Sequence, residues 1–149
     1  MTPQQKEFLN NMAKKYGLNK SDFWLHKQSG QWILSHDAVI KAAAKEGIQF
    51  VFEKWEDSPE RKVMKVSAIR NGDAPVEMIG ECRVGAKGIT ADYAWSMAQK
   101  RGEDRAALRI IAPGGGLYSE IEAEVFAKPE GEKQGLDAYA QRAKEFQEQ

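Results

Sequence analysis

Between Ile48 and Val84 three strand candidates follow one another, the first with apolar residues at every second position, and from about Asp92 to Ala112 apolar residues recur at helical spacing. A chain that changes period in this way has to lay a helix on a sheet, because each element has one apolar face to bury. "IQFVFEKW" sets Ile48, Phe50 and Phe52 against Gln49, Val51 and Glu53. "RKVMKVSAIR" runs into "NGDAP", and "VEMIGECRV" follows. Asn71-Gly72 is a strong turn signal, so these two strands are predicted to pair antiparallel. Gly80 inside the last strand predicts a bulge or close backbone packing.

Upstream, "TPQQKEFLNNMAKKYG" reads as a helix, with Phe8, Leu9, Met12 and Tyr16 on one face. "DFWLHKQSGQWILS" reads as a hairpin around Ser29-Gly30. "SHDAVIKAAAKEG" is a short helix capped by Ser35 or Asp37, with Val39, Ile40, Ala43 and Ala44 expected inward. Downstream, "SEIEAEVF" is expected to form another short helix capped by Ser119. From Glu130 to Gln149, Leu136, Tyr139, Ala140, Ala143 and Phe146 recur at helical spacing, as in a docked helix or a partner-binding tail. The order predicts one α+β domain over residues 1–128, with an acidic amphipathic tail over 129–149. Its core is an antiparallel sheet, a hairpin plus a three-stranded meander, packed against a long helix with short helices alongside.

On the long helix Tyr93, Met97, Leu108 and Ile111 fall within about 60° of one another and form the expected buried stripe. Arg101 and Asp104 project into that stripe, where a charge is tolerated only when paired. They are read either as a structural ion pair or as a ligand-reaching arginine oriented by its neighbour. Arg105 and Arg109 continue from Arg101 in steps of four, giving a slanting basic ribbon. That ribbon is either a solvated helix edge or a row of guanidiniums spaced for successive phosphates. Ala98, Gly102 and Ala106 make a smooth strip beside it. A mid-helix glycine costs about 1 kcal/mol against alanine, which suggests close approach of another backbone. A glycine that simply faces solvent is the alternative. Trp95 is expected to point away from the buried stripe.

"MAQKRGEDRAALRII" followed by "GLYSEIEAEVF" resembles the helix and trailing motif of phage and plasmid single-strand annealing proteins. These belong to the recombination group that includes RecT, Erf and the eukaryotic Rad-fifty-two type. The match rests on Met97, Ala98, Lys100, Arg101, Asp104, Arg105, Tyr118, Ser119 and Glu120, and "SGQWILSHDAVIKAAAKEGIQF" extends it upstream. Gln99 stands where an acid is usual, and Gly102 replaces a helix-favouring residue. The resemblance implies a non-catalytic protein, without metal or cofactor, that coats single-stranded DNA and anneals complementary strands in recombination and repair. It also implies a homo-oligomeric ring or filament and a phage origin, with a cognate exonuclease or a host single-strand-binding protein as a possible partner. Arg101, Arg105 and Arg109 are the first candidates to contact the strand, then Lys100, then Arg61, Lys62 and Lys65.

Charge gives this reading little direct support, since Lys+Arg and Asp+Glu both number 22. The distribution is uneven: residues 1–115 hold 18 basic against 14 acidic, and the remainder holds 4 against 8. An oligomer offers many sites along one polymer, so a modest charge per subunit suffices. The lone Cys82, the absence of a membrane-length apolar run, and an opening without a signal-peptide layout lead to an expected cytoplasmic setting, that of the bacterial host for a phage protein. Two rivals remain from sequence. A small Mg²⁺-dependent nuclease would draw on Asp73, Glu77 and Glu81, and an adaptor would bind a partner through the C-terminal helix. "APGGGLYSE" lacks the lysine and hydroxyl spacing of a P-loop, and His26 and His36 lack metal-motif spacing.

Overall fold

A computed structural model describes residues 3–85, 88–114 and 117–122. Along the chain these form α1 (Pro3–Tyr16), β1 (Phe23–His26), β2 (Gln31–Leu34), α2 (His36–Lys45) and β3 (Ile48–Asp57). They continue with β4 (Arg61–Arg70), β5 (Val76–Arg83), α3 (Ala91–Ile111) and β6 (Leu117–Ser119). The α+β class, the hairpin, the meander and the long helix are all as the sequence predicts. The expected tail helix after Glu130 lies outside the described residues. No described helix is long and apolar enough to cross a membrane.

Two three-stranded sheets share the core. In one, β3, β4 and β5 form an antiparallel meander. Its second hairpin turns at Asn71 and Gly72, whose φ values of 36° and 84° are those of the tight turn that strand twist favours. In the other sheet β1 and β2 pair antiparallel and β6 runs parallel to β2. The stretch expected to begin a helix at Ser119 therefore ends a strand instead. Glu120 N donates to Leu34 O at 2.9 Å, so pairing with β2 outweighs the local helical pattern.

Helix α3 lies across β5 and β4 and barely reaches β3. Its contact is unusually close at two glycines. A Cβ on Gly80 would sit 1.9 Å from Ala98 O and 2.5 Å from Gly102 N. A Cβ on Gly102 would sit 2.5 Å from Val66 Cγ2. The close backbone that Gly102 admits is thus the chain's own sheet, and Ala98, Gly102 and Ala106 are all buried against it. Tyr93 leaves the expected stripe and is 51% exposed, because the first turn, Ala91 to Tyr93, stands clear of the core and Ala94 is the first buried residue. Trp95 is half-buried and packs against the core, where it was expected to point away. In α2, Ala38, Val39, Ala42 and Ala43 face inward, so Ala38 and Ala42 take the places expected of Ile40 and Ala44. Ser35 caps this helix through its side chain, accepting from Ala38 N at 3.1 Å.

Candidate nucleic-acid interface

The two charged residues expected to pair on α3 diverge. They are about 60° apart around the axis, enough to send each to a different neighbour. Arg101 reaches over the free edge of β5, where Nη1 donates to Glu81 O at 2.6 Å. Arg105 does the same one turn on, with Nη1 donating to Ile79 O at 2.6 Å. Asp104 turns the other way, toward α2, and its Oδ1 meets His36 Nδ1 at 2.7 Å.

The arginine edge is organised by the strand. Val84 N bonds Glu60 O, so the even residues at this end of β5 direct their backbone groups toward β4. Glu81 and Ile79 consequently direct theirs outward, and the two guanidiniums satisfy carbonyls that an edge strand would leave to water. Two residues of strand span about 6.6 Å, and that interval spaces the anchor points. A carbonyl is neutral, so this hydrogen bond fixes the Arg101 guanidinium at the strand edge. Arg105 is different, because its Nε also meets Glu122 Oε1 at 3.1 Å. Arg61, Arg83 and Arg101 line a shallow, open depression of about 240 Å³ with Glu81 and Cys82. Glu81 is the carboxylate among these lining residues, and Arg61 is also held by Glu56 beside it. Arg109 is exposed one turn beyond Arg105.

The remaining candidates lie apart from this row. Arg61 is held by Glu56 at 2.8 Å and Glu81 at 3.3 Å. Lys62 is buried and bound to Asp57, with its Nζ 5.7 Å from the centre of the Trp95 ring. Lys65 sits between Glu77 at 3.2 Å and Glu53 at 3.8 Å. Lys100 is half-buried, and its charge acts on His36 and Glu103. Sequence reasoning missed Arg83, which has no side-chain ion pair among the described residues. It also missed Lys54, whose Nζ stands 4.6 Å from the Trp95 ring centre. The carboxylates assigned to a nuclease do not converge. Asp73 meets Arg70, Glu77 meets Lys65, and Glu81 meets Arg61.

Behind the helix, the motif residues form a latch. Asp104 is fully buried, and His36 holds it from the start of α2. Glu120 Oε1 accepts from His36 N at 2.9 Å. Asp104 Oδ2 and Ser119 Oγ are both buried without well-formed hydrogen bonds, yet lie close enough for the hydroxyl to favour the carboxylate. Burial pushes the Asp104 carboxyl above its ordinary pKa, opposed by His36. The hydrogen bond to Asp104 holds the His36 pKa above its ordinary value, opposed by burial. The residues Asp104, Ser119 and Glu120 thus tie α3, α2 and β6 together. The sequence signal was a histidine directly after a serine cap. Comparison with protein-family models, curated proteins and solved structures finds no match to this chain.

Proposed function

We propose that this chain binds single-stranded DNA and anneals complementary strands, acting as a homo-oligomer in recombination, as its resemblance to the RecT, Erf and Rad-fifty-two group implies. The observation that carries the reading is the pair Arg101 and Arg105, seated on alternate carbonyls of β5 with Arg83 and Arg109 flanking them. The spacing of about 6.6 Å is close to twice the roughly 3.4 Å per phosphate of a stacked strand. Such a row engages alternate phosphates of a stacked strand through its backbone and leaves the base edges to pair. The row is short, so useful affinity depends on several copies engaging one polymer.

The test is a titration of an unstructured oligonucleotide across a salt series, followed by mixing with its complement. The expected result is binding whose logarithm falls with log salt at a slope near 0.7 per phosphate engaged, together with accelerated duplex formation. Binding absent at low salt, or indifferent to salt, overturns the reading.

A further inference from the structure

The two edges of the β3-β4-β5 sheet are treated differently. On β5 the outward carbonyls of Glu81 and Ile79 are taken by Arg101 and Arg105. On β3, ten residues long, nothing described covers the run from Val51 to Trp55, which is exposed throughout. Both of its faces carry large apolar groups: Val51 is 55% exposed, Phe52 39% and Trp55 58%. The ladder to β4 is regular from Ile48 to Lys54 and shifts register at Trp55, and a regular apolar edge of that length is a template for another strand.

The hydrogen-bond parity says which groups are on offer. Ser58 N bonds Arg61 O across the β3–β4 turn, so odd residues of β4 face β3. Their partners Gln49, Val51 and Glu53, opposite Ile69, Ser67 and Lys65, therefore face β4. Phe50, Phe52 and Lys54 direct their backbone N–H and C=O groups to the open side.

We infer that this edge pairs with the same edge of a second copy, antiparallel about a two-fold axis at Phe52. That register sets Phe52 against its own counterpart and Phe50 against Lys54, as aromatic and cation–aromatic pairs. Val51 then lies opposite Glu53, so no like charges meet over the regular part of the strand. Shifting the axis to Glu53 sets two carboxylates face to face, which disfavours that register. A β3-to-β5 extension is closed off because the β5 carbonyls are occupied. The inference specifies one contact of the proposed homo-oligomer and rests on that part of the functional reading, not on DNA binding.

The experiment uses the full chain without DNA. Mass is measured across a concentration series for the wild type, Phe52→Pro and Phe52→Lys. Proline at this position removes an outward N–H and leaves the β3–β4 ladder intact. Lysine sets two like charges on the axis, and far-UV circular dichroism checks that each variant is folded. The expected result is assembly in multiples of two copies, weakened about a hundredfold by loss of the paired hydrogen bonds and aromatic contact. Amide exchange supplies the second readout. Phe52 and Lys54 exchange slowly in the assembled wild type and quickly in Phe52→Lys, while Val51 and Glu53 stay slow in both. A double Val51→Cys, Glu53→Cys chain forms disulfide-linked dimers on oxidation, whereas Val51→Cys alone, with its two thiols too far apart, does not. A wild type that stays monomeric, fast exchange at Phe52 and Lys54 in the assembled wild type, or assembly indifferent to both Phe52 variants overturns the inference. Loss of DNA binding with the pairing intact would instead count against the functional reading alone.

Discussion

Gly80 on β5 and Gly102 on α3 meet backbone to backbone, so closely that a methyl group on Gly80 would overlap the Ala98 carbonyl. The contact sets the depth at which α3 sits, and therefore whether Arg101 and Arg105 reach the strand edge. Gly80→Ala is expected to lower unfolding free energy by about 3 kcal/mol, at the upper end of ordinary overpacking, because backbone atoms must separate. Gly102→Ala meets the Val66 side chain and regains about 1 kcal/mol of helix propensity, so its loss is smaller. Urea denaturation of the two variants checks the order. Equal effects would show that the helix shifts freely.

Removing His36 strands a fully buried carboxylate. His36→Ala is expected to cost near the lower end of the roughly 3–5 kcal/mol typical of a broken buried pair, since the imidazole itself is slightly exposed. Asp104→Asn removes the charge while keeping the shape, and it costs less. Thermal and urea unfolding of both variants tests this.

The latch also gives stability a pH slope. His36 and Asp104 both have folded-state pKa values above their ordinary ones, so the native chain holds protons longer than the unfolded chain. The His36 contribution is complete below about pH 6.5 and is lost as pH rises through the raised value. The Asp104 contribution runs in the same direction from a lower starting point. The urea midpoint is therefore expected to fall between about pH 6 and pH 9, with the slope reduced in His36→Gln. A wild-type midpoint that rises over this range contradicts the assignment.

On the arginine edge, Glu122 meets Arg105 directly, with Oε1 3.1 Å from Nε. Glu122→Gln is expected to strengthen single-strand binding and to steepen its salt slope by up to about 0.7. Arg83→Ala combined with Arg109→Ala lowers the slope by up to about 1.4. Arg61→Ala with Lys65→Ala changes it little, because both cations already face carboxylates. A filter-binding salt series separates the three.

Turn and period chemistry made most of this fold readable. Asn71-Gly72 announced its hairpin, Ser35 its helix, and the alternation from Ile48 the meander. What sequence could not supply was decided by distant neighbours. Ser119 reads as a helix cap on its own and instead ends a strand, because Leu34 offers a partner. Helical spacing sets Arg101 and Asp104 only about 60° apart, yet their partners lie on opposite sides of the helix. The basic ribbon was legible as a row. Which neighbour each member meets was not, because a carbonyl or a carboxylate is brought there by a distant part of the chain.

The parallel strand Leu117–Ser119 closes a sheet whose other two members end at His26 and Leu34, far earlier in the chain. As the chain leaves the ribosome, the meander and α3 are complete while the first hairpin still lacks its third strand. The first sheet to be started is thus the last to be finished, and a release before Leu117 would leave the edge of β2 bare.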